Sequence, residues 1–157
     1  MDMAQLARSE VYEKYSHDLI RFATGLAGPD DGPDLVSAAM LSVLWSQSWD
    51  QVQNPRAYLY RAVLNEARKS YKTAMRRAGA EARAAVPAGG TPARDVEPEI
   101  LEAVGSLSVR QRAVVFLAYW EDLRPAEIAR RLDLSESTVH RYLSRAESRL
   151  RRLLHDR

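Results

Sequence analysis

The chain has 157 residues, of which 46% are hydrophobic and 28% are charged, and this balance is typical of a soluble globular protein. It contains no cysteine, which excludes disulfides, thiolate zinc sites, iron–sulfur clusters and cysteine catalysis. No uninterrupted apolar run approaches the ~20 residues that span a bilayer, and the first residues lack the pattern of a signal peptide. We therefore expect a cytoplasmic protein.

The net charge is only +2, but the basic residues are concentrated in two segments. Residues 1–60 carry four basic and eight acidic side chains, whereas residues 61–77 carry six basic and one acidic. Residues 130–157 carry eight arginines and four acids. Two basic segments behind an acidic one indicate two contacts with nucleic acid and a different partner for the acidic part. Solvated helix faces are the alternative explanation.

Apolar residues recur at intervals of three and four, which predicts an all-α fold. Ser9 is expected to cap a first helix that ends at Gly28-Pro29, and Pro33 is expected in the first turn of the second helix. Asn54-Pro55 is a cap residue followed by proline, which predicts the start of a third helix running to about Arg77.

Residues 79–96 are rich in glycine, proline and alanine, which predicts a flexible linker. An Ala-rich helix over residues 78–86 is the competing interpretation. The linker divides the chain into two small helical domains, residues 1–78 and residues 97–157.

Four further helices are predicted after the linker. The first covers about residues 97–104, and the spacing from Ser108 to Gln111 is that of a capping box that opens the second. Pro125 opens a short third helix, and Ser135 caps the last.

The sequence contains no recognisable group of catalytic residues. His17, His140 and His155 are scattered without metal-ligand spacing, and no phosphate-binding glycine loop or zinc-protease motif is present. We therefore expect a protein that is not an enzyme and that needs no metal or cofactor.

Residues 125–144 have the spacing of a helix-turn-helix, with Asp133 at the turn position where a left-handed backbone is needed. In this motif the N-terminal part of the second helix enters the major groove of DNA. The residues expected there are Ser135, Glu136, Ser137, Thr138, His140 and Arg141, followed by Arg145 as a phosphate contact. An ordinary helical hairpin with a solvated arginine face is the alternative.

The third helix carries a basic stripe, with Tyr58 on the same side. At about 100° per residue, most of the basic side chains fall in one arc, and apolar residues fill the neighbouring arc. The residues of this surface are Arg61, Asn65, Arg68, Lys69, Lys72 and Arg76. Basic side chains beside an aromatic ring suit a nucleic-acid backbone with stacked bases, while a solvated basic helix is the bland alternative.

These segments resemble a known family. Residues 107–153 read LSVRQRAVVFLAYWEDLRPAEIARRLDLSESTVHRYLSRAESRLRRL, which is similar to the C-terminal domain of extracytoplasmic-function sigma factors. The N-terminal domain of that family resembles the runs YEKYSHDLIRFATGL, DLVSAAMLSVLW and NPRAYLYRAVLNEARKSYKTAMRR. One departure is Arg124, which stands where the family usually has a serine cap.

The resemblance implies a sigma subunit that directs promoter-specific initiation by core RNA polymerase. The first domain would bind the polymerase and the −10 element, and the second would bind the −35 element. In the family a loop such as Ser46–Asn54 captures an unstacked base, which Trp49 would do here. Trp49 and Trp45 could instead close the core, and we favour that role for Trp45. An anti-sigma factor is a further implied partner.

By family position and acidic balance, the residues expected to bind polymerase are Asp34, Leu35, Met40 and Trp45. Two other functions stay open at this point. One is a helix-turn-helix regulator that binds duplex DNA without being a polymerase subunit, and the other is a degenerate sigma-like protein that acts through protein contacts alone.

Overall fold

The computed structural model describes residues 3–78 and 98–155 of the chain. Within these ranges the helices are α1 (Met3–Ala27), α2 (Gly32–Leu44), α3 (Pro55–Ala78), α4 (Pro98–Gly105), α5 (Val109–Val115), α6 (Pro125–Leu132) and α7 (Glu136–His155). A 3₁₀ turn covers Trp49–Gln51, and a π-helical turn covers Phe116–Trp120. The described ranges contain no strand, and the predicted all-α class is confirmed.

The predicted linker, residues 79–96, lies outside the described residues, so the boundaries of the two domains stay a prediction. Within residues 3–78 and 98–155, no helix is both long and apolar enough to cross a membrane.

Three helices begin at the cap residues that the sequence predicts. The side-chain oxygen of Asn54 accepts the backbone N–H three residues later at 3.1 Å. Ser108 and Gln111 form the reciprocal bonds of a capping box. The Ser135 hydroxyl accepts the N–H of Thr138 at 3.1 Å. These bonds satisfy backbone donors that the first helical turn leaves without partners.

The first helix starts earlier than predicted. Because α1 begins at Met3, Ser9 lies inside the helix, and its predicted role as a cap is wrong. Residues 3–7 are all good helix formers, which favours continuing the helix past Ser9. The predicted end is confirmed, since Gly28 follows the last turn with a φ of 93° that glycine adopts without strain.

Helices α1, α2 and α3 pack together as a three-helix bundle. The side chains buried among them include Leu19, Phe22, Leu26, Val36, Val43, Leu59, Tyr60 and Val63. The bundle therefore fixes the position of the exposed side of α2 relative to the exposed side of α3.

Helices α6 and α7 form the predicted helix-turn-helix. Ile128 and Leu132 of α6 and Val139 of α7 are buried against each other and the rest of the core. The turn residue Asp133 has φ 53° and ψ 51°, which is the left-handed conformation expected from the motif. Arg124 makes no side-chain cap, and Pro125 presets the first turn of α6 instead.

The three-helix bundle and the C-terminal helices share one hydrophobic core. Phe116 is one link between them, since its ring lies 6.2 Å from the ring of Phe22, centroid to centroid. A Cβ on Gly25 would lie 2.5 Å from the Phe116 ring, so only glycine allows this approach. We call the packing of α1 and α3 against α5, α6 and the π-helical turn the closed arrangement.

Candidate nucleic-acid interface

The predicted basic stripe of α3 lines a groove whose other wall is α2. Six of the eight residues predicted to contact the −10 element line this groove, which has a volume of about 380 Å³: Tyr58, Arg61, Asn65, Arg68, Lys69 and Lys72. We call it the basic groove. Glu66 also lines it and pairs with Lys69 at 3.5 Å. Arg76, one turn further along α3, is exposed but does not line the groove.

Tyr58 is the aromatic residue of the basic groove. Its hydroxyl donates a hydrogen bond to the Ser46 hydroxyl at 2.9 Å, which orients the ring at the end of α2. Hydrogen bonding with Ser46 and then Ser48 lowers the pKa of the Tyr58 phenol, and the nearby charges of Arg8 and Arg61 act in the same direction against partial burial. The ring is therefore held in place beside cationic side chains.

The structure places the two tryptophans in different environments. Trp49 is only 8% exposed, with the edge of its ring against Tyr58 and the Arg8 guanidinium 5.7 Å from its centroid. A buried ring cannot take up a base without local rearrangement. Trp45, which we expected to close the core, is 84% exposed, so that interpretation is wrong. Both lie within five residues of the end of α2, and their spacing alone does not distinguish them.

The second half of the candidate interface is the N-terminal part of α7. Ser135, Glu136, Ser137, His140, Arg141 and Arg145 are all exposed, and Thr138 is half-buried. Ser135 also bonds the Thr138 hydroxyl at 2.7 Å, so the cap and the first turn form one polar unit. Such a helix N-terminus, with its positive dipole end, suits a phosphate group.

Two side chains of this helix are positioned by neighbours on the same helix. His140 lies 3.6 Å from the Glu136 carboxylate, one turn away, and both are more than half exposed. The Arg141 guanidinium lies 5.7 Å from the centroid of the Tyr142 ring. Arg141 is therefore held at the helix surface without an acidic partner among the described residues, which leaves its donors free for a base.

The basic groove and the helix-turn-helix face each other in the closed arrangement. Arg61 bonds the Asp133 carboxylate at the motif's turn at 3.2 Å. Two clefts continue this junction: one of about 220 Å³ beside Arg61 and Tyr142, and one of about 520 Å³ between Arg68 and Arg145. Residues predicted for the two DNA elements therefore line the same junction.

Three arginines that sequence reasoning missed hold the fold. Arg112, which is 2% exposed, donates hydrogen bonds to the carbonyl oxygens of Leu26, Gly105 and Leu107. Burial lowers the pKa of the Arg112 guanidinium, which nevertheless stays charged.

The other two arginines, Arg131 and Arg8, contact aromatic rings and also donate hydrogen bonds. Arg131 lies 5.1 Å from the centroid of the Tyr60 ring and donates to the Tyr60 hydroxyl at 3.2 Å. Arg8 donates to the carbonyls of Leu44 at 2.6 Å and Ser46 at 3.0 Å, beyond the end of α2. The sequence does not reveal these contacts, because the groups that each arginine contacts belong to segments distant along the chain.

Two large apolar side chains are exposed near the end of α2. Trp45 and Leu41 lie one turn apart and are 84% and 58% exposed, while Asp34 is exposed near the start of the helix. Of the other residues predicted to bind polymerase, Met40 is half-buried and Leu35 is 5% exposed within the core. Leu41, a residue that the sequence analysis did not single out, therefore contributes more exposed surface than Leu35.

Comparisons with known proteins agree on one family. Residues 98–150 match the family "Sigma-70, region 4". The chain is 29% identical over 161 residues to an RNA polymerase sigma-E factor of Streptomyces antibioticus, covering 94% of this chain and 84% of that protein. It is 28% identical over 171 residues to the sigma-E factor of Streptomyces avermitilis, covering 100% and 90%.

Two solved structures share the fold. CnrH in complex with the cytosolic domain of CnrY matches with a TM-score of 0.60 and 23% identity, over 97% of this chain and 90% of that one. The sigma factor RpoE of Bartonella quintana, in complex with the anti-sigma factor NepR, matches with a TM-score of 0.60 and 21% identity, over 94% and 96%. The region 4 match and the similarity to two sigma-E factors along nearly the whole chain agree with the resemblance seen in the sequence, and the two solved structures share the fold of this chain.

Proposed function

We propose that the chain is a non-enzymatic subunit that binds core RNA polymerase and directs it to promoters with specific −10 and −35 elements. The helix-turn-helix binds the −35 element as duplex, and the basic groove binds the −10 element as separated strands. One observation carries this proposal: the chain presents two basic surfaces of different shape. An exposed recognition helix suits a major groove, whereas Tyr58 beside Arg61 and Arg68 suits unstacked bases and their phosphates.

The exposed side of α2, with Leu41 and Trp45 near its end, is the proposed contact with the polymerase. Exposed tryptophan and leucine side chains on neighbouring turns are typical of protein interaction sites. We assign Trp45, Leu41, Met40 and Asp34 to this contact. Leu35 supports the surface from the core side rather than touching the polymerase.

An anti-sigma factor is the second proposed protein partner. One of the similar structures is a sigma factor bound to an anti-sigma factor, and its fold matches over 94% of this chain. The region 4 segment alone would also fit a duplex-binding regulator, but the similarity to sigma-E factors extends through α1, α2 and α3. This favours the sigma function over the regulator.

Binding to both promoter elements requires the closed arrangement to open. At 3.4 Å per base pair, elements centred on −10 and −35 are about 85 Å apart along straight DNA. In the closed arrangement, Arg61 instead bonds the turn of the helix-turn-helix at 3.2 Å. We therefore propose that the two halves separate when the chain engages polymerase and promoter.

Reconstitution with core polymerase tests the proposed function. The full chain should co-purify with the core enzyme and start transcripts at a limited set of genomic promoters in run-off assays. A chain that binds duplex DNA but neither co-purifies with the core enzyme nor starts transcripts would be a regulator. A chain that co-purifies but does not bind DNA would be the degenerate, protein-binding type.

Charge removal in the basic groove tests the −10 contact separately. The double variant Arg68→Ala, Lys72→Ala should weaken open-complex formation and reduce the slope of log K against log salt by about one unit per lost phosphate contact. Arg130→Ala removes an exposed charge on α6 that does not line the groove, and serves as the control. An unchanged slope in the double variant would reduce the basic groove to a solvated face.

A further inference from the structure

The larger of the two clefts at the junction has a strongly positive lining. Five cationic side chains line its volume of about 520 Å³: Arg68 and Lys72 from α3, Arg110 from α5, and Arg145 and Arg149 from α7. The rest of the lining is made of tyrosine, serine, glutamine and apolar side chains, with no aspartate or glutamate among the described residues. We call this space the junction cleft.

The five cations lack neutralising partners. None of them forms an ion pair with a carboxylate within the described ranges 3–78 and 98–155. Because two charges belong to α3 and three belong to the C-terminal helices, their mutual repulsion opposes the closed arrangement. A multivalent anion in the cleft would remove that repulsion and connect the two sides.

The size and chemistry of the cleft select among anions. Its volume lies within the range of small-ligand sites, about 300–1,000 Å³, and duplex DNA is too wide to enter it. Arginine forks bind phosphate oxygens in pairs, so four arginines and one lysine fit a chain of phosphates better than a single ion. Tyr71 and Tyr142 add aromatic surface at the wall.

We propose that the junction cleft binds a free oligophosphate, either inorganic or as a nucleoside polyphosphate, and that the bound anion stabilises the closed arrangement. The binding itself is independent of the proposed function. One consequence does rest on it: Arg68, Lys72 and Arg145 are also proposed DNA contacts, so the anion and the promoter compete for the same side chains.

Titration of the full chain with sodium tripolyphosphate at low salt tests the proposal without polymerase or DNA. Calorimetry should give saturable binding with a stoichiometry near one, and the melting temperature should rise with ligand concentration. Arg110→Ala and Arg149→Ala, which remove charges outside the predicted DNA contacts, should each weaken binding about tenfold. Arg130→Ala should leave binding unchanged, and orthophosphate should bind more weakly than tripolyphosphate.

Two further arms separate the source of the phosphates and the role of closure. Adenosine and guanosine polyphosphates that bind more tightly than tripolyphosphate would indicate a nucleotide ligand, whereas equal affinity would indicate the inorganic chain. Gly25→Ala, which disturbs the closed arrangement without changing charge, should also weaken binding.

Three results would overturn the proposal. The first is equal binding by wild type, Arg110→Ala and Arg130→Ala, which would mean nonspecific attraction to a basic protein. The second is saturable binding of a single-stranded oligonucleotide with no binding of tripolyphosphate, which would make the cleft a nucleic-acid surface. The third is full affinity in a Gly25→Ala chain whose halves have separated.

Discussion

The recognition helix α7 and the basic groove differ in how accessible they are in the closed arrangement. The N-terminal residues of α7, from Ser135 to Arg141, stay exposed, with only Thr138 and Val139 turned toward the protein. The groove residue Arg61 is instead bound to Asp133, and Arg68 faces the helix-turn-helix across two clefts. Closure therefore restricts the proposed −10 surface and leaves the proposed −35 surface open to duplex DNA.

Guanidinium contacts are more numerous at the junction than inside the three-helix bundle. Within the bundle, the packing is mainly apolar, as with Leu19 and Phe22, and Arg8 makes the buried guanidinium contact. Across the junction, Phe116 is supplemented by guanidinium groups: Arg112 on a carbonyl, Arg131 on Tyr60 and Arg21 on Glu121 at 2.5 Å. A partly exposed pair such as Arg21 with Glu121 can be exchanged for water or a partner at lower cost than a buried apolar face, which suits a junction that opens.

The largest expected effect comes from Arg112, which joins the two halves. Arg112→Met should lower the free energy of unfolding by about 3 kcal/mol, because the carbonyls of Leu26, Gly105 and Leu107 lose their buried donor. Urea denaturation measures this loss. Arg110→Met, an exposed neighbour on the same helix, should change stability by less than about 0.5 kcal/mol. Equal effects of the two substitutions would mean that the buried bonds contribute nothing.

Gly25→Ala tests the apolar part of the junction. The added methyl would meet the Phe116 ring at 2.5 Å, and overpacking of this kind costs about 1–3 kcal/mol, less about 1 kcal/mol of gained helix propensity. Thermal unfolding measures the net loss. Combining it with Phe116→Leu removes the ring that clashes, so the two losses should be less than additive. Strict additivity would place Gly25 outside the contact.

How much the sequence could predict follows from the range of each interaction. The caps at Asn54, Ser108 and Ser135 and the left-handed turn at Asp133 were predictable, because each depends on partners within four residues. The basic stripe was predictable from helical periodicity for the same reason. The junction between the halves was not, because it depends on contacts such as that of Arg112 with Leu26, 86 residues apart.

The tryptophans show where periodicity fails. Trp45 and Trp49 follow α2 at a point where the chain leaves the helix, so the angle of 100° per residue no longer assigns a face. Burial there is decided by Arg8, which caps the end of α2 and covers Trp49. The start of α1 was mispredicted for a related reason, since Ser9 has the residue type of a cap but is preceded by helix-forming residues.

Two arginines of α7 are expected to contact the −35 element in different ways, one at a base and one at a phosphate. Arg141→Ala should cost about 1–3 kcal/mol of discrimination at one −35 position, because a guanidinium grips guanine through two acceptors. Arg145→Ala should weaken all −35 sequences alike, as expected of a phosphate contact. Binding of holoenzyme to a panel of single-base −35 variants measures both. A uniform loss for Arg141→Ala would reassign it to phosphate.

The smallest expected effect is at the turn of the helix-turn-helix. Asp133→Gly should stabilise the turn by up to about 1 kcal/mol, because glycine adopts a φ of 53° without strain, while the exposed pair with Arg61 contributes less. Arg61→Ala breaks the same pair without relieving the backbone and should be neutral or slightly destabilising. Chemical denaturation compares the two variants. A clear loss of stability in Asp133→Gly would mean that the ion pair outweighs the strain.

In the proposed function, the free chain is closed and promoter binding separates its halves. Because the chain has no cysteine, fluorophores can be attached at Thr73→Cys and Ser148→Cys alone, exposed positions beside two residues of the junction cleft. We predict high energy transfer between the labels in the free chain and a large decrease when core polymerase and promoter DNA are added. Low transfer in the free chain, or the same high transfer in the promoter complex, would contradict the account.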